Sequence, residues 1–128
     1  MKKLAAILCL TTAVLLGSAG ESWSADLQKG LDAANRGDFA TALREWRPLA
    51  EQGDASAQNN LGFMYVYGKG VLQDYVRAHM WYNIAASSGK SKNASKNRDI
   101  VAKRMNSSQV ETAQKLAREC VRKKYKGC

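Results

Sequence analysis

The 128-residue chain reads as all-α: an α/α superhelical repeat with C-terminal closing helices, after a cleaved signal peptide. Three observations predict this class. First, GDFATALREWRPLAEQG (37–53) aligns with QDYVRAHMWYNIAASSG (73–89) at an offset of 36 residues. Asp38 meets Asp74, Phe39 meets Tyr75, Ala42 meets Ala78, Trp46 meets Tyr82, Ala50 meets Ala86 and Gly53 meets Gly89. Matches at helical spacing with a period in the thirties are the mark of stacked helix pairs. Second, both segments open on an aspartate and close on a glycine, the residues that cap a helix start and tolerate the left-handed turn after its end. Third, no stretch alternates apolar and polar residues as a half-buried strand would.

Residues 1–24 read as the signal peptide. Lys2 and Lys3 precede an apolar run of 13 residues, Leu4–Leu16, and then Gly17, Ser18, Ala19 and Gly20. The run is shorter than the roughly 20 residues that a bilayer span needs, and its layout is that of an export signal. Cleavage is expected between Gly20 and Ala25; small residues at −3 and −1 favour Gly20 or Ser24. Leu8 before Cys9 argues against lipidation. The mature chain is then expected to be periplasmic or secreted, without a transmembrane span, and in an oxidising compartment.

Residues 25–55 read as a degenerate first repeat, with Asp38 and Gly53 bounding its second helix. Pro48 within that helix should kink or restart it, since it lacks an N–H for the ladder. Residues 56–89 read as a full repeat. Ala57, Leu61, Met64 and Tyr65 form one stripe, and Gly62 leaves room for a neighbouring helix. Gly68-Lys69-Gly70 breaks the helix and makes the turn. Asp74 caps the next helix, whose stripe is Ala78, Trp81, Tyr82, Ala85 and Ala86, closed by Gly89.

Residues 90–128 read as basic closing helices and a tail. A polar linker over 90–96 precedes a helix around Asn97–Met105, with Ile100, Val101 and Met105 as its apolar face. Ser108-Gln109-Val110-Glu111 reads as a capping box for a following helix. Val110, Ala113, Leu116, Ala117, Cys120 and Val121 form its apolar stripe. Arg122–Cys128 reads as a frayed basic tail. An even pair of cysteines in an exported chain predicts a Cys120–Cys128 disulfide that pins this end.

Charge is concentrated at one end. Residues 25–89 hold 6 Lys+Arg against 7 Asp+Glu, whereas residues 90–128 hold 12 against 3. Such a field attracts anionic partners: acidic protein patches, lipid head groups or envelope polymers. Export argues against nucleic acid.

Catalytic and cofactor motifs are weak. His79 is the single histidine and has no companions for a metal or general-base role, so it reads as a surface or packing residue. Ser87-Ser88-Gly89-Lys90 fits Ser-x-x-Lys, yet the chain has no Ser-Asp-Asn or Lys-Thr-Gly to complete a penicillin-recognising site. Gly89-Lys90-Ser91 echoes a phosphate loop, but Ile84 stands where the first glycine belongs. No cofactor or metal is expected.

The pattern Ala57-x3-Leu61-Gly62-x2-Tyr65-x2-Gly68-x-Gly70-Val71-x2-Asp74-Tyr75-x2-Ala78-x2-Trp81-Tyr82-x2-Ala85-Ala86-x2-Gly89 resembles a full Sel-one-like repeat (SLR), a relative of the tetratricopeptide repeat. It covers about a third of residues 25–128. Residues 38–53 resemble the second half of a preceding repeat, and 97–119 resemble the closing helices of small exported bacterial members. The resemblance implies a non-enzymatic adaptor that binds a protein or peptide in the envelope through a concave face. Cysteine-rich exported relatives carry Cys-x7-Cys pairs, the spacing of Cys120 and Cys128, and some are described as penicillin-binding or weak β-lactamases; here the pair lies past the last clear repeat. Two readings therefore stand beside the adaptor: a binder of anionic envelope surfaces through 90–128, and a β-lactamase-like activity. On the adaptor reading the groove should be lined by the first-helix face, with Asn59, Asn60, Phe63 and Tyr67, and by the basic Arg98. Asparagine amides can bracket a peptide backbone with donor and acceptor together.

Overall fold

The structure, a computed structural model, describes residues 25–128; the expected signal peptide lies outside the described residues. Six helices follow one another: α1 (Leu27–Asn35), α2 (Phe39–Glu51), α3 (Ala55–Tyr67), α4 (Tyr75–Ser87), α5 (Ala94–Ala102) and α6 (Ser107–Arg122). None of the described residues is in a strand, so the all-α class holds.

The first four helices each start on an aspartate. The Asp26, Asp38, Asp54 and Asp74 carboxylates accept from backbone N–H groups of the first turn at 2.8–3.2 Å. The expected caps Asp38 and Asp74 are therefore in place, and Asp26 and Asp54 extend the device. Helix ends follow the same economy: Gly53 and Gly89 take φ of +92° and +70° just past α2 and α4, a region costly for residues with a Cβ. Gly68 caps α3 in the left-handed conformation and starts the turn into α4.

The repeat is built on glycine holes filled by aromatic rings. A Cβ on Gly62 would stand 2.5 Å from the Tyr82 ring, so α3 and α4 approach as closely as a missing side chain allows. The Trp46 ring occupies the same kind of space over Gly30, and its Nε1 donates to the Leu27 carbonyl at 3.2 Å. Trp46 and Tyr82 are 36 residues apart, but Gly30 and Gly62 only 32. The difference is the loop: three residues (36–38) join α1 to α2 and seven (68–74) join α3 to α4. The α1–α2 pair thus repeats the packing of α3 on α4 and differs from it in its turn.

α4 is the centre of the molecule, packed against α3, α5 and α6. Ala78, His79, Met80, Trp81, Tyr82, Ile84 and Ala85 are all buried on it. Ala86, expected on the stripe, is half-buried. The stripe Ala57, Leu61, Met64 and Tyr65 on α3 is buried as expected. Buried polar groups are mostly satisfied: Gln58 Nε2 donates to the Ala50 carbonyl at 3.1 Å, and Glu45 accepts from Asp26 N at 3.0 Å and pairs with Lys29 at 3.4 Å.

Several expectations are corrected. α2 runs as one helix, Phe39–Glu51, through Pro48 and does not restart; Pro48 removes a single N–H from the ladder, the one the Arg44 carbonyl would accept, and the last turn closes beyond it, with Gln52 N donating to Pro48 O at 3.1 Å. α5 spans 94–102, not 97–105; Ala94 is fully buried and draws the former linker residues 94–96 into the helix. Ile100, expected in the core, is half-exposed, while Val101 is buried. The capping box of α6 is Asn106 with Gln109, reciprocally bonded at 2.8 and 2.9 Å, two residues before the Ser108–Glu111 pair expected. Asparagine at the true boundary outcompetes a serine already inside the helix. On α6, Ala113, Ala117 and Cys120 are buried, but Val121 is 46% exposed.

The end of the chain is not frayed. Cys120 and Cys128 form a disulfide. Tyr125 N donates to the Cys120 carbonyl at 2.9 Å, and the Tyr125 ring packs against the core, 3.2 Å from where a Cβ on Gly53 would stand. Lys124 and Tyr125 both hold positive φ, a region sparsely populated by residues with a Cβ. Arg77 Nη1 donates to the Cys128 carbonyl at 2.9 Å.

Candidate interaction surfaces

Two concave surfaces flank α4. The first lies between α3 and α5 and corresponds to the first-helix face of the repeat. Phe63, Val66 and Tyr67 of α3, Tyr82 of α4, and Asn97, Ile100, Val101 and Arg104 of the α5 segment line a groove of about 150 Å³. Phe63 and Tyr67 are one turn apart, so their rings share a face and meet at 4.8 Å between centroids. They are 44% and 56% exposed. Burial pushes the Tyr82 hydroxyl up to about 12, with the nearby Tyr67 adding to it, so Tyr82 stays a neutral phenol. Arg104 Nη1 reaches Tyr75 Oη at 3.4 Å, and that hydrogen bond raises the guanidinium's already high pKa.

The expected binding residues divide. Phe63 and Tyr67 line the groove. Asn59 stands beside it, its Oδ1 accepting from Asn97 Nδ2 at 3.1 Å, so its amide orients a lining residue. Asn60 is half-buried and lines neither groove beside α4. Arg98 turns the other way, donating from Nη1 to Asn83 Oδ1 at 3.1 Å and from Nε to Asp99 at 3.1 Å. Val66, Ile100 and Arg104 were not expected there. Ile100 carried a misleading signal, because an apolar residue next to Val101 reads as core when the helix register is set three residues late.

The second surface is larger. Asn83, Ile84 and Ser87 of α4 face Ala117, Arg118, Val121 and Arg122 of α6 across a groove of about 490 Å³. Its floor is apolar and its α6 rim is cationic. A third, small concavity of about 120 Å³ lies beside the disulfide, between Arg77, Met80 and the chain end.

The serines of the Ser-x-x-Lys stretch are engaged locally, and the histidine is buried. Ser87 Oγ donates to the Ile84 carbonyl at 2.7 Å, and Ser88 Oγ accepts from Lys90 N at 3.2 Å, so the Ser-x-x-Lys stretch closes α4. His79 is 3% exposed and its Nδ1 has no hydrogen-bond partner. Burial lowers its pKa, and Arg98 adds to the lowering against a smaller opposing effect of Asp99. Among the described residues no three His, Cys, Asp or Glu side chains converge on a metal-sized site, and no helix is long and apolar enough to cross a membrane.

Comparison with known proteins agrees with this architecture. The family described as Sel1 repeat matches residues 55–90, the α3–α4 pair with its turn and cap. Among solved structures, the chain is similar to a protective antigen present in uropathogenic Escherichia coli strains, described as displaying an SLR fold: 33% identity, a TM-score of 0.70, 77% of this chain covered and 22% of that chain. The chain thus spans about a fifth of the length of that neighbour. No curated protein matches it.

Proposed function

Since the chain is a Sel1-like repeat protein, and such repeats are generally protein-interaction modules, we propose that it is an exported, non-enzymatic adaptor that holds a protein or peptide partner against its α3/α5 face. The observation that carries this reading is the Phe63–Tyr67 pair. The two rings pack tilted against each other at the surface, beside the half-exposed Ile100, and together form an exposed apolar patch. Rigid aromatic anchors surrounded by polar groups, here Asn97 and Arg104, are the usual makings of a binding hot spot. The export-type layout of residues 1–24 supports the periplasm or the cell exterior as the working compartment.

Affinity capture from envelope extract tests it, comparing the wild type with Phe63→Ala/Tyr67→Ala at low and high salt. The expected result is a protein retained at high salt by the wild type and lost from the variant. Capture that is insensitive to the double variant, or that vanishes at high salt, refutes the α3/α5 face as the binding surface.

A further inference from the structure

The larger groove shares no lining residue with the α3/α5 face, and its chemistry points to a different ligand. α6 presents two adjacent rows to it. Ala117 and Val121, one turn apart, form an apolar row; Arg118 and Arg122, also one turn apart, form a basic row beside it. Lys115 extends the basic row by a further turn toward the helix start. Opposite, Ile84 supplies the floor, and the Asn83 amide and Ser87 hydroxyl supply polar atoms. Neither Arg118 nor Arg122 has an ion-pair partner among the described residues. The groove sits in the third of the chain that holds 12 Lys+Arg against 3 Asp+Glu.

We infer that the α4/α6 groove docks an acidic amphipathic helix of a partner protein. The match is geometric as well as electrostatic. Two guanidiniums one helical turn apart face carboxylates with the same spacing, which a helix supplies from Glu at i and i+4. The neighbouring apolar row takes a Leu-type row on the same partner helix, the helix-in-groove mode of recognition. A volume of about 490 Å³ suits inserted side chains. A lipid surface fits less well: it needs apolar side chains that protrude, whereas Ile84 and Ala117 are recessed and buried, and Val121 alone of the apolar lining is substantially exposed.

The test is fluorescence anisotropy of the purified protein with a labelled helical peptide of about 18 residues carrying Glu and Leu on adjacent rows. The same peptide with Gln for Glu and vesicles of anionic phosphatidylglycerol are run in parallel. Saturable binding of the Glu peptide is expected. It should weaken by about tenfold or more for Arg118→Glu/Arg122→Glu and for Val121→Arg, and the Gln peptide should bind as weakly. Lys96→Glu/Lys103→Glu, which removes the same net charge from α5 and the residue after it, should change binding less than about twofold. Phe63→Ala/Tyr67→Ala should leave it unchanged, which keeps this site separate from the α3/α5 face. Circular dichroism verifies each fold, and Arg118→Gln/Arg122→Gln replaces the reversal if helicity falls. Equal loss from the α5 reversal, binding of vesicles without binding of peptide, or no saturable binding overturns the inference.

Discussion

At the scale of single residues, the fold depends on where side chains are missing as much as on where they are large. Gly62 and Gly30 accept the Tyr82 and Trp46 rings, and neither hole tolerates a methyl group without displacing an aromatic core residue. Gly62→Ala is expected to lower stability by about 1–3 kcal/mol through overpacking, despite a helix-propensity gain of up to about 1 kcal/mol; thermal or urea unfolding measures it. His79 makes the complementary case of a polar group kept where it cannot ionise easily. Its folded-state pKa lies below the ordinary 6.5 because burial disfavours the imidazolium. The unfolded chain therefore binds the proton more readily. The associated stability is full above about pH 6.5 and declines as pH falls below it, until the depressed folded pKa is passed. His79→Gln should remove that part of the pH dependence, read as a flatter plot of unfolding midpoint against pH from neutral into mildly acid solution.

At the scale of elements, helix boundaries were the least legible feature and their consequences the largest. The start of α6 has two polar candidates two residues apart. Asn106 occupies extended backbone just outside the helix and exchanges bonds with Gln109, whereas Ser108 is already helical. Asn106→Ala should cost about 1 kcal/mol, with Ser108→Ala close to neutral; the difference in unfolding free energy between the two variants decides which residue is the cap. In α5 the register was hidden for another reason. Ala94 and Val101, two turns apart, face the core, but a single alanine among Ser, Lys and Asn carries almost no hydrophobic signal. With the helix placed late, Ile100 read as core, although it lies on the exposed groove between α3 and α5. The sequence pattern of α4 shows one stripe, yet seven of its residues are buried, because it is covered by three neighbours and only the tertiary arrangement reveals how many faces need covering.

At the scale of the whole molecule, a near-neutral helical repeat carries a basic closing segment, and the chain end ties back to the body. The Cys120–Cys128 loop is short, so its cross-link stabilises mainly by restricting the unfolded tail, by about 2–3 kcal/mol on the chain-entropy account. Cys128→Ser is expected to lower the unfolding free energy by that order while leaving helical ellipticity nearly unchanged. It should also free Tyr125 from Gly53, seen as a loss of amide protection confined to residues 120–128. Equal loss of protection in α3 and α4 would show instead that the clamp supports the entire stack.

The amino-acid sequence by itself determined the all-α class, the α3–α4 repeat, the caps at Asp38 and Asp74, the glycine hole at Gly62 and the pairing of Cys120 with Cys128. All of these are local or periodic: a cap acts on its own first turn, a stripe repeats every three or four residues, and a pair of cysteines in one short segment has little choice of partner. Only the tertiary structure decided that Gly30 repeats Gly62 across a shortened loop and that Arg98 turns away from the aromatic groove toward Asn83. It also decided that the tail folds back onto Gly53 and Arg77, and that Val121 and the α6 arginines frame the larger of the two grooves beside α4. These depend on which helix lies against which, and the energies that set those neighbours come from burial summed over surfaces far apart in the chain, which no local pattern encodes.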